Sequence, residues 1–205
     1  MEHAEAAALR AALHAAGRLK DTLRSGFKQA GAQESVAEHS WRLCLMTLLL
    51  APRLGVDPAR ALALAVAHDL GEALSGDTPA PLQAADPGKA ARERADLAAL
   101  MAPAPADMRA AVLALWEEYE AGATPEARLV KALDKLETIM THAEGANPPG
   151  FDYAFNLTYG RKATDAVPEL AALHAILDAE TAARAGDGGL DDSDAPCAKA
   201  GHLRR

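Results

Sequence analysis

The sequence predicts an all-α domain on three observations. The first is composition: half of the 205 residues are apolar, alanine and leucine dominate, and only 4% are aromatic. Such a mixture favours helix over strand. The second is spacing, with apolar residues recurring at helical intervals, as in Leu129, Val130, Leu133 and Leu136. The third is punctuation. Ser35-x-x-Glu38 is a capping box, and Asp57-Pro58 and Thr124-Pro125 pair an N-cap with a proline in the first turn. The length suits one domain with a real core.

The elements follow in order. Residues 2–24 read as one helix, interrupted near Gly17, with Leu9, Leu13 and Leu19 as its apolar stripe. Residues 25–34 read as a polar loop. A second helix runs from Val36 to about Leu54, and being apolar nearly all round it is expected at the centre, with Trp41 in the core. A third starts at Pro58 and carries His68 and Asp69 to an end near Leu74. Prolines and glycines make 75–88 a loop. Helices are then expected at about 89–101, 105–121, 125–144 and 166–184, six or seven in all. Residues 145–160 are irregular and rich in aromatics. From Gly186 the chain loses periodicity, so residues 1–185 are expected to form the domain and 186–205 a disordered tail.

Charge and cysteine content narrow the function. The formal net charge of −8 does not suit a duplex-binding protein, which is usually basic. A small anionic substrate is compatible if a local cation and a metal receive it. Cys44 and Cys197 have neither zinc nor redox spacing. The longest apolar run, Leu43 to Ala51, is too short to span a bilayer. A soluble cytoplasmic protein is the expectation.

The chemistry concentrates in LAVAHDLGEALSGD, residues 64–77. His68, Asp69, Glu72 and Asp77 lie among apolar side chains, and burying such groups is costly unless they bind an ion or one another. His39 and Asp134 are the two further candidates. Asp134 interrupts an apolar stripe, with Lys131 and Lys135 as alternative partners. Two imidazoles and two carboxylates would suit Mn, Co, Fe, Ni or Zn rather than a thiolate cage.

AEHSW at 37–41, AHDLGEALSGD at 67–77 and KALDKLE at 131–137 resemble the HD-domain phosphohydrolases, and most closely their small 5'-deoxynucleotidase-like branch. The likeness covers roughly residues 15–180. It implies an HD-domain fold, commonly a homodimer, and one divalent metal held by His39, His68, Asp69 and Asp134. No histidine lies between His68 and His142, which argues against a dinuclear centre. The implied activity removes the 5'-phosphate from nucleoside or deoxynucleoside monophosphates with a metal-activated water. Hydrolysis of another small phosphoester and a non-catalytic metal-binding module are the alternatives. Glu72 and Asp77 are assigned jointly to acid–base and positioning work. The resemblance also gives an arginine to the phosphate, and Arg24 fits its offset, with Arg18 as competitor. The Arg24-Ser25-Gly26-Phe27 pattern is nearer the HD domain-containing protein 2 group than the bacterial enzyme. Glu117, Glu118 and His142 are weaker candidates for supporting contacts. Phe151, Tyr153, Phe155 and Tyr159 would line either a dimer contact or a pocket rim.

Overall fold

A computed structural model describes residues 1–79 and 88–187. Seven helices of ten or more residues carry the described fold: α1 His3–Ala16, α2 Val36–Leu50, α3 Pro58–Ala67, α5 Lys89–Leu100, α6 Ala106–Ala121, α7 Pro125–Glu144 and α10 Ala171–Asp187. Three single turns intervene: α4 Glu72–Ser75, α8 Tyr153–Asn156 and α9 Arg161–Thr164. The expected starts hold where local chemistry specifies them. Ser35 accepts from the Glu38 amide while Glu38 bonds back to the Ser35 amide, at 3.3 and 2.8 Å. Asp57 accepts from the Ala59 amide and Thr124 from the Ala127 amide.

The centre is α7 rather than α2. Thirteen of the 20 residues of α7 are buried, against five of the 15 in α2. Leu129, Val130, Leu133, Leu136 and Ile139 form a core with Leu43 and Met46 of α2, Ala61 and Leu64 of α3, and Leu177 of α10. Fully burying each large aliphatic side chain contributes about 1.5–3 kcal/mol. A second cluster gathers Leu19, Val36, Ala73, Leu97, Leu100 and Trp116. The outer face of α2 is exposed among the described residues: Trp41 is 66% exposed and Leu45, Leu48 and Leu49 accompany it. The expectation that Trp41 packs the core is corrected accordingly. On α1 it is Ala12 that is buried, while Leu13 is exposed.

Two further boundaries differ from the sequence reading. The first helix ends at Ala16, a short 3-10 turn follows over Gly17–Lys20, and the polar loop becomes a hairpin of β1 Leu23–Phe27 and β2 Gln33–Ser35. The strands are antiparallel, with Leu23 opposite Ser35 and Phe27 opposite Gln33. Tertiary contact sets this conformation: a side chain at Gly26 would meet Thr141 Cγ2 at 2.9 Å and His142 Cδ2 at 3.0 Å. Only glycine brings β1 so close to α7.

Helix α3 ends at Ala67, so His68 and Asp69 sit in a turn. Amides there bond to the carbonyl three residues back, Glu72 to Asp69 and Leu74 to Gly71. The cause is Gly71, where a Cβ would stand 2.8 Å from the Glu93 carbonyl oxygen of α5. Residues 80–87 of the expected loop, and the expected tail beyond 187, lie outside the described residues.

The cap of α2 is open to test. Replacing Ser35 with alanine should cost about 1 kcal/mol in urea unfolding. Bonds from Lys28 and from the Ser35 amide and hydroxyl hold Glu38 below its usual 4.5. A lowered native value means that its contribution is present above about pH 4.5 and is lost as pH falls through the lowered value. Glu38→Ala should therefore destabilise at pH 7 and converge with the parent protein near pH 3. A difference that persists in acid would exclude the carboxylate as its source.

Candidate metal centre

Three segments deliver ligand-type atoms from four residues to one point. His39 lies in the first turn of α2, oriented by the cap. His68 and Asp69 come from the turn after α3, and Asp134 from the middle of α7. His39 Nε2 is 3.3 Å from His68 Nε2, 3.3 Å from Asp134 Oδ1 and 3.7 Å from Asp69 Oδ2. His68 Nε2 is 2.9 Å from Asp69 Oδ2. His39, His68 and Asp134 are buried and could hold a metal ion together.

The far side of each ring specifies which nitrogen faces inward. His68 Nδ1 donates to the Ala65 carbonyl at 2.8 Å, and His39 Nδ1 donates to Glu137. Each neutral ring therefore turns a bare Nε2 toward the carboxylates. Lone pairs converge there, and the donor Arg24 Nη1 reaches them only at the edge, 3.5 Å from Asp69 Oδ2, so the arrangement repels itself without a cation at its centre. The donor set thus fits a divalent transition ion. A proton is the weaker substitute: burial and Arg24 oppose charge on His39, yet Glu137 and Asp134 push it up to about 9.

Asp134 is oriented in the same way. Its Oδ2 accepts from Tyr119 Oη and Lys135 Nζ, both at 2.9 Å, which leaves Oδ1 toward His39. The pairing with Lys135 and the place beside the imidazoles coexist. Glu137, fully buried, accepts from His39 through one oxygen and from Arg42 Nε at 2.8 Å through the other. Despite its burial, His39 and Arg42 hold Glu137 down at about 2. Glu34, His39 and Glu137 form a second acidic grouping. Arg24 and Arg42 already neutralise it, so it serves as backing to the centre.

A cleft of about 240 Å³ opens over this point, lined by Arg24, His68, Asp69, Glu72, Asp77 and Asp134 among others. Arg24 projects from β1. Its Nε is 3.4 Å from Glu34, its Nη2 donates to Thr138 Oγ1 at 2.9 Å, and its Nη1 reaches 3.5 Å from Asp69. Arg18, the competitor, is exposed on the 3-10 turn and does not line the cleft. Burial, then Asp69 and Asp77, push Glu72 up to about 10. Its Oε2 is buried and has no hydrogen-bond partner among the described residues, so it can meet a water or a ligand. Burial raises Asp77 as well, against the pull of Arg24. A dication in the centre would act on both in the opposite direction.

Several residues escaped the sequence reading. Tyr119 adjoins Glu117 and Glu118, which instead pair with Arg94 and Arg60 outside the cleft. Glu137 stands three residues after Asp134, and that spacing on one helix face was its signal. Lys89, Glu93, Lys131 and Thr138 also line the cleft. Of the aromatic segment only Tyr159 reaches it. Phe151 packs on His142, and Tyr153 bonds Asn147 and Arg184. His142 bonds Asn156 and does not reach the centre.

Residues 16–174 match the HD domain family, and the chain belongs to it. Among curated relatives, the 5'-deoxynucleotidase HDDC2 of Xenopus laevis is 35% identical over 130 residues, 62% of this chain and 64% of that protein. The chain thus spans a little under two thirds of that relative's length. The Bos taurus protein of the same name is 31% identical over 174 residues, 82% of this chain and 83% of that one. A crystal structure of a predicted metal-dependent phosphohydrolase from Magnetospirillum magnetotacticum superposes with a TM-score of 0.76 at 30% identity. It covers 89% of this chain and 95% of its own. The all-α HD fold expected from the sequence is the fold observed.

The backing residues carry a prediction. Glu137→Gln should lower affinity for Mn or Zn by about 10–100-fold, the usual cost of losing an outer carboxylate, with helical circular dichroism unchanged. Unaltered affinity in a titration with a chelator dye would remove Glu137 from that role.

Proposed function

We propose that the chain is a metal-dependent phosphohydrolase that releases the 5'-phosphate of nucleoside or deoxynucleoside monophosphates, with residues 1–185 as its HD unit. One observation carries the reading. The cation-demanding cluster, an anchored guanidinium and a carboxylate with a free buried oxygen all border one cleft. The names of the relatives point to the same reaction class. Free nucleotides as substrate would place the protein in the cytoplasm.

In this reading His39, His68, Asp69 and Asp134 hold one divalent ion, drawn from Mn, Co, Fe, Ni or Zn. Such an ion supplies a water of lowered pKa and positive charge for the phosphate. Arg24, braced by Glu34 and Thr138, offers its fork to two phosphate oxygens and sets the phosphorus in line for attack. Glu72 handles the proton of the attacking water through its free Oε2. Asp77, at the mouth, shares this work or serves the leaving alkoxide.

The test is phosphate release from a panel of nucleoside monophosphates with Mn, Co, Zn and Mg, with metal content measured beside it. Asp69→Ala should lose metal and activity together. Glu72→Ala should keep the metal and lose at least about a hundredfold in turnover. Arg24→Lys should raise KM and lower turnover with metal retained, because lysine restores the charge without the fork. An active Glu72→Ala protein, or damage from Arg18→Ala but not Arg24→Ala, would overturn the assignments.

The homodimer expected from the resemblance belongs to the same proposal. It is supported by the stripe of Trp41, Leu45, Leu48 and Leu49 along the exposed side of α2. Exposed apolar patches of this kind mark contact sites, and two copies of one stripe can cover each other about a twofold axis. Trp41→Glu with Leu48→Glu should halve the mass seen by light scattering while the helical signal persists. A parent protein that is monomeric at 100 μM would end this idea.

A further inference from the structure

A second groove, of about 620 Å³, adjoins the metal cleft; Glu120, Lys131, Lys135 and Tyr159 line both. The charge reverses between the two. Six carboxylates line the cleft: Asp69, Glu72, Asp77, Glu93, Glu120 and Asp134. In the groove, Arg128, Lys131, Lys135, Arg161 and Lys162 face a single carboxylate, Glu120. In a chain of net charge −8 this is a local inversion.

The cations are ordered. Arg128, Lys131 and Lys135 follow one another at i, i+3 and i+7, so one face of α7 leads from the groove into the cleft. About 9 Å of helix axis separates Arg128 from Asp134. Lys131, Lys135 and Arg161 have carboxylate partners in Glu120, Asp134 and Asp178. Arg128 and Lys162 are exposed, and no carboxylate among the described residues pairs with either. Arg128 donates to the Ala123 carbonyl at 2.6 Å, a bond that occupies one Nη and leaves the other side of its fork available.

The sugar and base of a nucleoside monophosphate carry no charge at neutral pH and draw no charge–charge attraction from such a lining. A second anionic group does. We infer that the groove is a subsite for a second phosphoryl group. The favoured substrate is then a nucleoside 5'-monophosphate with a further phosphate on its 3' side, as in a 3',5'-bisphosphate or a short 5'-phosphorylated oligonucleotide. This rests on the 5'-nucleotidase reading above. The 5'-phosphate lies against Arg24, and Arg128 and Lys162 receive the second. Water adds to the 5'-phosphorus, the bond to O5' breaks, the alkoxide takes a proton, and the second phosphate leaves with the product unchanged.

The alternative is that the groove merely draws anions in, which would favour every phosphate substrate alike. Calorimetry on the Mn-loaded Glu72→Gln protein separates the two. The ligands are 2'-deoxyadenosine 5'-monophosphate, 2'-deoxyadenosine 3',5'-bisphosphate and a 5'-phosphorylated dinucleotide. The bisphosphate or the dinucleotide should bind at least about tenfold more tightly than the monophosphate, the scale of one charge-assisted contact. Which of them does so tells a terminal phosphate from a diester. Adding Arg128→Ala and Lys162→Ala should erase the advantage and leave the monophosphate Kd within about twofold. Equal affinities for all three ligands, or equal weakening of all three by the double substitution, would overturn the subsite. Phosphate release is measured separately on the unsubstituted protein. Its failure with every ligand would sink the nucleotidase reading alone, because the ratio of affinities still decides the groove.

Discussion

Two hydrogen bonds made behind the candidate metal centre dictate what happens within it. The Ala65 carbonyl and the Glu137 carboxylate each take the Nδ1 proton of a histidine. With those protons committed outward, the inward Nε2 atoms of the neutral rings are acceptors, and the neighbouring aspartates are acceptors too, so a cation or a proton must join them. The surrounding architecture supports this polarisation. Arg42 compensates Glu137 from outside, Arg24 compensates Glu34 and Asp69, and Tyr119 and Lys135 occupy the outer oxygen of Asp134. A buried carboxylate such as Glu137 is expensive when left unpaired. Its cost is met by the same contacts that orient the ligand-type groups.

Helix α7 performs two tasks on different faces. Its aliphatic residues, from Leu129 to Ile139, fill the main core, while Asp134, Glu137, Thr138 and Thr141 face the polar centre and its backing. Gly26 packs against the same helix at Thr141 and His142, which positions the strand that carries Arg24. The core and the candidate catalytic geometry therefore cannot loosen independently. Any ion bound by a preformed cluster of this kind stabilises the fold by mass action, since the unfolded chain offers no such cluster.

What could be read from the sequence was what local chemistry specifies. Serine, aspartate and threonine caps beside glutamate or proline placed the starts of α2, α3 and α7, because the bonds involved span only two or three residues. His39, His68 and Asp134 are candidate ligands because burial of such groups without a partner is costly, and the likeness of their motifs to the HD family is what joins them, with Asp69, into one set. Features specified across the chain were not legible. The hairpin depends on a glycine meeting a helix more than a hundred residues later, and the HD turn on Gly71 meeting the Glu93 backbone. Arg24 and Arg18 could not be separated until the hairpin turned one inward and left the other in solvent. Glu137 has only its spacing from Asp134 to mark it, since its partner His39 is 98 positions away. Trp41 reads as core because α2 is apolar nearly all round. Apolarity marks a face for burial without saying whether this chain or another covers it.

The two tryptophans therefore sit in opposite surroundings. Trp116 is 4% exposed within the second core cluster, and Trp41 is 66% exposed on α2. Their fluorescence should divide accordingly, with a blue-shifted component expected from Trp116 and a red, quencher-accessible one from Trp41. The emission spectrum becomes a two-channel gauge, in which Trp116 reports the integrity of the core while Trp41 reports whatever settles on the apolar side of α2. An event that covers that side without disturbing the core would shift one component and spare the other, distinguishing association from unfolding in the unlabelled protein.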